Sequence, residues 1–477
     1  MEKIMPYHVP QKMKHLKHRI LSLFIALILL FQFPVSAFAA EEPTVSCQAA
    51  AAVDLDTGTL LFEKNAQERV FPASTTKVMT ALIILENRDL SDTIEVGPEI
   101  REGGITTNSS LMNLEKGDKI TVEELLYGLM LVSGNDAAAT LAVSTAGSIS
   151  AFADMMNEKA QALGMTNTHF VTPHGIHNEE HYSTAEDMAK LTVAAMQNET
   201  FRRIVSTKTH DSVKINSKGT TVTTELRNTN NLLHTLDKNG NANPYYYAGT
   251  TGIKTGYTIY AKYCLISSAE RNGRHVAALL FADDSENSGA QRWKDAAAIL
   301  DYALDNFENY NLAALAAKAE ITLNVWHAAE KDSEGGLLSC DFGDLEDKKY
   351  SLPKDLDTTS GISAEPSFNQ GIMAPLFTGD EVGTAKLLLN GEVIYEGAVY
   401  ASRDVYEEGF ETAANGPVTI IDQLQVEEIN LEIDEEETKL MLWWLLLPAA
   451  LLIYLIVRYF TIRPAMRKKY LKRTRRR

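Results

Sequence analysis

The chain has 477 residues, with 45 Lys+Arg against 63 Asp+Glu and a formal net charge of −18. That length calls for more than one domain, and the acidic balance argues against a nucleic-acid partner. Three scattered cysteines, Cys47, Cys264 and Cys340, make no disulfide framework, and no Cys/His cluster has metal-ligand spacing, so no metal and no cofactor is expected.

The first forty residues read as an export signal. Lys12, Lys14, Lys17 and Arg19 form a basic leader, the apolar run 20–33 follows, and Ala37-Phe38-Ala39 offers small residues for cleavage before Ala40. The apolar run is short for a membrane span. At the other end, residues 440–457 form an uncharged run long enough to span, with Trp443, Trp444, Tyr454 and Tyr459 suited to its interfaces. The basic tail 461–477 carries no acid and is expected to stay cytoplasmic. These readings divide the chain into a signal peptide (1–39), a first domain (40–312), a second domain (318–425), an acidic spacer (426–439), a transmembrane helix (440–460) and a basic tail (461–477). The expected location is outside the cell membrane, tethered by the C-terminal helix.

Ala50–Asp54 and Thr59–Glu63 alternate around Asp56-Thr57-Gly58 and predict a hairpin. Next comes Pro72-Ala73-Ser74-Thr75-Thr76-Lys77. Pro72 suits a helix start, and Val78, Met79, Ala81, Leu82, Ile83 and Leu85 make that helix apolar nearly all round, hence buried. Ser74 and Lys77 share a face of it. Burial pushes a lysine toward its neutral form, which can accept a serine's proton. The same four residues also read as a capping serine and a surface lysine, since Ser-x-x-Lys arises by chance roughly twice in a chain this long.

Thr121-Val122-Glu123-Glu124 reads as a capping box opening a helix to about Leu131. Ser133-Gly134-Asn135 follows in a loop, where a hydroxyl and an amide can reach a nucleophile or serve as a plain helix cap. Ala151–Leu163 is a helix closed by Gly164, and Ser183-Thr184-Ala185-Glu186 opens another to about Met196. His169, His174, His177 and His181 lie in the loop between them, too loosely spaced for a metal site. Lys254-Thr255-Gly256 precedes a hairpin, Tyr263–Ala269 and His275–Ala282, around Arg271-Asn272-Gly273. A cation and a hydroxyl suit a carboxylate, and Gly256 lets a substrate approach the strand and leaves the Tyr257 N–H to face an oxyanion. Arg292–Phe307 is an amphipathic closing helix. Strands at both ends with helices between predict one antiparallel sheet covered by helices, an α+β fold with no nucleotide loop. Region 318–425 alternates in short runs with turns such as Asn390-Gly391 and reads as a small all-β module.

Ser-x-x-Lys, Ser-x-Asn and Lys-Thr-Gly, in this order, are the motif set of β-lactamases and penicillin-binding proteins. The chain resembles the serine-type D-alanyl-D-alanine carboxypeptidases among the low-molecular-mass penicillin-binding proteins. Ala51–Asn65, Pro72–Thr80, Gly164–Met188, Asn228–Leu233 and Gly252–Thr258 carry the resemblance, which covers about 45–310. It implies a penicillin-binding-protein-like α+β domain and a peptidoglycan stem peptide as substrate, with β-lactams as inhibitors. Ser74 would be the acylated nucleophile, Lys77 its base, Ser133 a proton relay and Asn135 a holder of the substrate amide. Lys254 and Thr255 would bind the terminal carboxylate, with Gly256 giving access. The N–H groups of Ser74 and Tyr257 would form the oxyanion hole, and Arg292 would assist the carboxylate. Some members have histidine where this chain has Tyr257. The rival activities are a DD-endopeptidase, a β-lactamase and an inactive wall-binding scaffold.

Overall fold

Alternation along a single strand explains the layering of the first domain. The computed structural model describes residues 41–285 and 289–408. In chain order its strands are β1 (Ala49–Asp54), β2 (Leu60–Lys64), β3 (Thr93–Glu95), β4 (Lys119–Thr121), β5 (Thr209–Ile215), β6 (Thr221–Arg227), β7 (Thr250–Thr258), β8 (Lys262–Arg271) and β9 (Arg274–Asp283). The helices are α1 (Lys77–Asn87), α2 (Val122–Leu131), α3 (Asn135–Ala146), α4 (Ile149–Ala162), α5 (Ala185–Met196), α6 (Glu199–Ser206) and α7 (Gln291–Asn306). The main sheet has the order β2-β1-β9-β8-β7 and is antiparallel throughout, built from both ends of the region as the sequence predicts.

Ala49, Ala51 and Val53 of β1 join the core beneath α1 to α6. Ala50 and Ala52 point the other way and pack with Trp293, Ile299, Leu300 and Ala303 of α7. Period-two side-chain direction therefore gives a three-layer arrangement with the sheet in the middle. α1 is buried from Lys77 to Ile84, which its all-round apolar sequence requires.

The predicted boundaries shift by a residue or two. Thr121 caps α2 by accepting from the Glu124 amide, as the capping box predicts. α5 is capped by Thr184, which accepts from Asp187, rather than by Ser183. A small sheet of order β3-β4-β5-β6 was not evident from the sequence. Most of β5 and β6 is solvent-facing, so no buried stripe announces them.

The β-rich region follows α7 without a break. It comprises β10 (Phe307–Asn311), the short α8 (Leu312–Ala316), β11 (Thr322–Asn324), β12 (Leu337–Phe342), β13 (Lys349–Pro353), β14 (Ile362–Phe368), β15 (Glu381–Leu389) and β16 (Glu392–Ala401). Its main sheet runs β11-β12-β16-β15-β14, and β10 pairs with β13. Asn390 and Gly391, both at positive φ, turn β15 into β16. Ser351 Oγ lies 3.0 Å from Thr57 Oγ1 and donates to Asn309 Oδ1 at 2.6 Å, tying this region to the first hairpin.

The expected fold is corrected at one point. A C-terminal transmembrane helix is part of the architecture expected from sequence, but no helix among the described residues is long and apolar enough to cross a membrane. The expected span at 440–460 lies outside the described residues, as do the signal peptide at 1–39, the acidic spacer at 426–439 and the basic tail at 461–477. The fold is an α+β domain followed by an all-β domain.

Asp54 anchors the junction. Its carboxylate is fully buried, accepts from the Asp56 and Thr57 amides and pairs with Arg274 at 3.0 Å. The same guanidinium donates to Ala303 O and Phe307 O, which serves the open carbonyls at the end of α7. Removing one partner of such a pair strands a buried charge, whereas an exposed pair contributes little. Asp54→Ala should therefore cost about 3 kcal/mol in urea unfolding, and Glu95→Ala, which removes the exposed partner of Lys119, less than about 1 kcal/mol. Equal losses in the two variants would contradict this account.

Candidate active site

Pro72 opens a 3₁₀ turn, Ala73–Thr76, which runs directly into α1. Thr75 Oγ1 donates back to Pro72 O at 2.6 Å, so the turn is closed by its own side chain. Ser74 lies half-buried on this turn, with Lys77 fully buried one step beneath it. Lys77 Nζ is 3.0 Å from Ser74 Oγ, 2.7 Å from Asn135 Oδ1 and 2.8 Å from His174 O.

Burial holds the Lys77 amine well below the usual lysine range, and the neighbouring Lys254 adds to the effect. A neutral amine has two N–H donors and one lone pair. Two carbonyl oxygens, Asn135 Oδ1 and His174 O, take the two donors. In that neutral form the lone pair would be left for the Ser74 hydroxyl, 3.0 Å away, to donate to. This is the arrangement of a serine nucleophile beside its base.

Ser133 sits at φ 61° in the turn between α2 and α3. Its Oγ is buried and has no hydrogen-bond partner among the described residues. Asn135 begins α3, and its backbone amide donates to Ser110 O at 2.8 Å. The next residue, Asp136, is buried and accepts from the amides of Met112 and Leu114 at 2.8 and 2.9 Å. Asp136 thereby holds segment 108–114 as one wall of the site. Sequence reasoning passed over it, because an aspartate in the first turn of a helix reads as an ordinary charge at the positive end.

The histidine loop supplies the opposite support. His181 Nδ1 accepts from the amides of Val171 and Thr172, so its other nitrogen carries the proton and donates to Thr76 Oγ1 at 2.8 Å. Burial pushes its pKa down to about 3, in keeping with a neutral ring. Gly175 stands at φ 77°, where a Cβ would lie 1.9 Å from Ala73 O. Only glycine lets this loop lie against the nucleophile turn. Among the described residues no group of three His, Cys, Asp or Glu could hold a metal ion.

β7 closes the site from the sheet side, and it is an edge strand. Lys254 is buried and donates to Thr255 O at 2.9 Å; burial, reinforced by Arg292, pushes its pKa down to about 7. A Cβ on Gly256 would stand 3.1 Å from the Ser74 amide nitrogen and 3.2 Å from Pro72 O. The strand thus passes the nucleophile turn at close range, bringing the Tyr257 backbone beside that of Ser74. The Tyr257 side chain is exposed, its ring 4.6 Å from that of Tyr263. Arg292, at the start of α7, stacks over Tyr263 at 4.5 Å and Trp293 at 4.4 Å, and its Nε has no partner among the described residues.

Ser74, Ser133, Asn135, Thr255, Gly256, Tyr257 and Arg292 line one cleft of about 400 Å³, with Lys77 and Lys254 buried behind it. All the site residues expected from sequence therefore converge. Asn108, Ser109, Ser110, Ile176 and Thr229 complete the lining and carried no motif of their own. A larger hollow of about 750 Å³ lies among Ala313–Lys348 in the β-rich region, and its lining includes none of the residues of the three motifs.

This geometry coincides with a match to known sequences. Residues 36–285 match the family model described as D-alanyl-D-alanine carboxypeptidase. The chain belongs to the D-alanyl-D-alanine carboxypeptidase family. Residues 339–407 match the penicillin-binding protein 5 C-terminal domain, a span that lies within the β-rich region described above. The carboxypeptidase DacF of Bacillus subtilis is 33% identical over 403 residues, covering 83% of this chain and 96% of that protein. A D-alanyl-D-alanine carboxypeptidase of Streptomyces sp. strain K15 is 36% identical, over 56% of this chain and 90% of its own. The crystal structure of DacD from Francisella tularensis superposes with a TM-score of 0.55 at 26% identity, covering 79% of this chain and all of that one. As a member of this family the chain is a serine peptidase, a hydrolase and a penicillin-binding protein.

The two buried amines carry a thermodynamic signature. The unfolded chain keeps a proton on Lys254 up to the ordinary 10.5, and the folded chain releases it near 7. Between those values the unfolded state binds more protons, so stability rises with pH. Lys254→Met removes this dependence. In urea unfolding the wild type should gain on the variant as the pH is raised from about 7 to about 10. A difference between the two that stays constant with pH would refute the low pKa.

Proposed function

We propose that the enzyme removes the terminal D-alanine from peptidoglycan stem pentapeptides through an acyl-enzyme on Ser74. The observation that carries this reading is the 3.0 Å contact between Ser74 Oγ and a fully buried Lys77 amine whose other partners are the carbonyl oxygens of Asn135 and His174.

The substrate's C-terminal residues lie along the open edge of β7, in the manner of an added strand. Its carboxylate meets Thr255 and the positive field of Lys254 and Arg292, and its amide meets Asn135. The scissile carbonyl oxygen faces the N–H groups of Ser74 and Tyr257, which stabilise the oxyanion. Lys77 takes the Ser74 proton as Oγ bonds to the carbonyl carbon. The C–N bond then breaks, and the leaving amine of D-alanine receives its proton by way of the Ser133 hydroxyl. Water hydrolyses the ester with Lys77 again as base, splitting one hard step into two. β-Lactams, which present a carbonyl and a carboxylate in the same relation, acylate the same serine. The basic and apolar leader supports action outside the cell.

Two measurements test the reading. Purified enzyme should release D-alanine from a pentapeptide and take up labelled penicillin covalently, and Ser74→Ala should do neither; labelled Ser74→Ala would refute the assignment. The kcat/KM profile should rise as Lys77 loses its proton, well below the usual lysine range, and fall as Lys254 loses its own near 7. Lys254→Arg, which cannot lose its charge, should move the alkaline limb upward. An unmoved limb would remove Lys254 from the carboxylate site.

A further inference from the structure

Thr229 lies in the Asn228–Leu233 stretch but outside the Ser-x-x-Lys, Ser-x-Asn and Lys-Thr-Gly motifs, yet its hydroxyl oxygen stands 2.7 Å from Thr255 Oγ1 and lines the cleft. Its backbone is held from several sides. The Thr229 amide donates to Leu131 O at 3.0 Å, at the end of the helix that leads to Ser133. On one flank, the Asn228 side-chain amide donates to Val205 O and Thr207 O, both at 3.1 Å. On the other, the Asn230 side chain donates to Gly252 O at 2.6 Å and to Ser267 Oγ at 3.1 Å. Asn228 and Asn230 are buried, and Thr229 between them is exposed. Two inward amides thus fix a backbone whose one outward side chain is a hydroxyl aimed at Thr255.

Packing does not call for this hydroxyl. Thr255 borders the open cleft, where water would satisfy it equally well. Proton counting shows what the contact does. Two hydroxyls carry two protons, and their mutual bond uses one. One proton remains, on a hydroxyl that borders the cleft and can donate into it. Such a donor recognises an anion and discriminates against a group that itself offers N–H.

We propose that Thr229 is a positioning residue for the carboxylate subsite, orienting the free proton of the Thr229–Thr255 hydroxyl pair toward the substrate's terminal carboxylate and so setting the preference for peptides that end in a free acid. This rests on the function proposed above, that the cleft accepts a C-terminal D-alanine.

The test compares an N-acylated Lys-D-Ala-D-Ala peptide with the same peptide ending in D-alaninamide, using the full chain. In Thr229→Val, Thr255 keeps its hydroxyl but loses the partner that orients it, and kcat/KM on the acid should fall about tenfold, the low end of what a hydrogen bond to a charged group contributes. The loss should appear mainly in KM. Turnover of the amide should stay within about twofold, and Thr229→Ser should restore the preference for the acid. Equal loss on both peptides would assign Thr229 to packing, and no loss on either would remove it from the site; both results overturn the inference. Thr229→Ala provides the same comparison should the valine variant fail to fold. If the wild type released neither D-alanine from the acid nor D-alaninamide from the amide, the proposed function would fall first. An active wild type with an unaltered valine variant would overturn this inference alone.

Discussion

The burial of one amine organises this enzyme. Lys77 Nζ draws three separate segments to a point: the 3₁₀ turn through Ser74, the start of α3 through Asn135 and the histidine loop through His174 O. None of these segments would hold its position by local propensity. The turn needs Gly175 against it, the helix start needs Asp136 to secure the neighbouring wall, and the loop needs His181 folded onto Thr76. An isolated ammonium would be costly in that interior, and release of its proton turns the cost of burial into basicity.

The edge position of β7 has comparable weight. A central strand would have both edges occupied, and Lys254, Thr255 and Gly256 could then face only side chains. At the sheet margin their backbone is available to a peptide. The nucleophile turn packs against this strand at Gly256, where a Cβ would stand 3.1 Å from the Ser74 amide nitrogen.

Much of this is legible in the sequence. The apolar run after Pro72 announces a buried helix, and with it a buried Lys77. The three motifs name the groups that converge, since each joins residue types whose chemistry is specific. Contacts made across long sequence separations by chemically common residues are not legible. Asp136 and Thr229 look like ordinary helix-start and loop residues until folding sets them against segments 22 and 26 positions away. The sheet of β3 to β6 escapes because its exposed strands bury no stripe that periodicity could reveal. Long apolar runs at the two termini are equally plain in the sequence, but their readings fall on residues outside those the structure describes.

The approach of β7 to the nucleophile also governs how this active site can vary. Side chains at 255 and 257 project away from the contact, and the position between them faces the Ser74 backbone with no room to spare. A lineage under antibiotic pressure therefore has few substitutions at the centre of this strand that keep the peptide reaction. Change is freer at its margins, in Tyr257, in the turn beyond it and in the wall at 108–110. There a bulky drug and a slender peptide can be told apart without disturbing the chemistry they share.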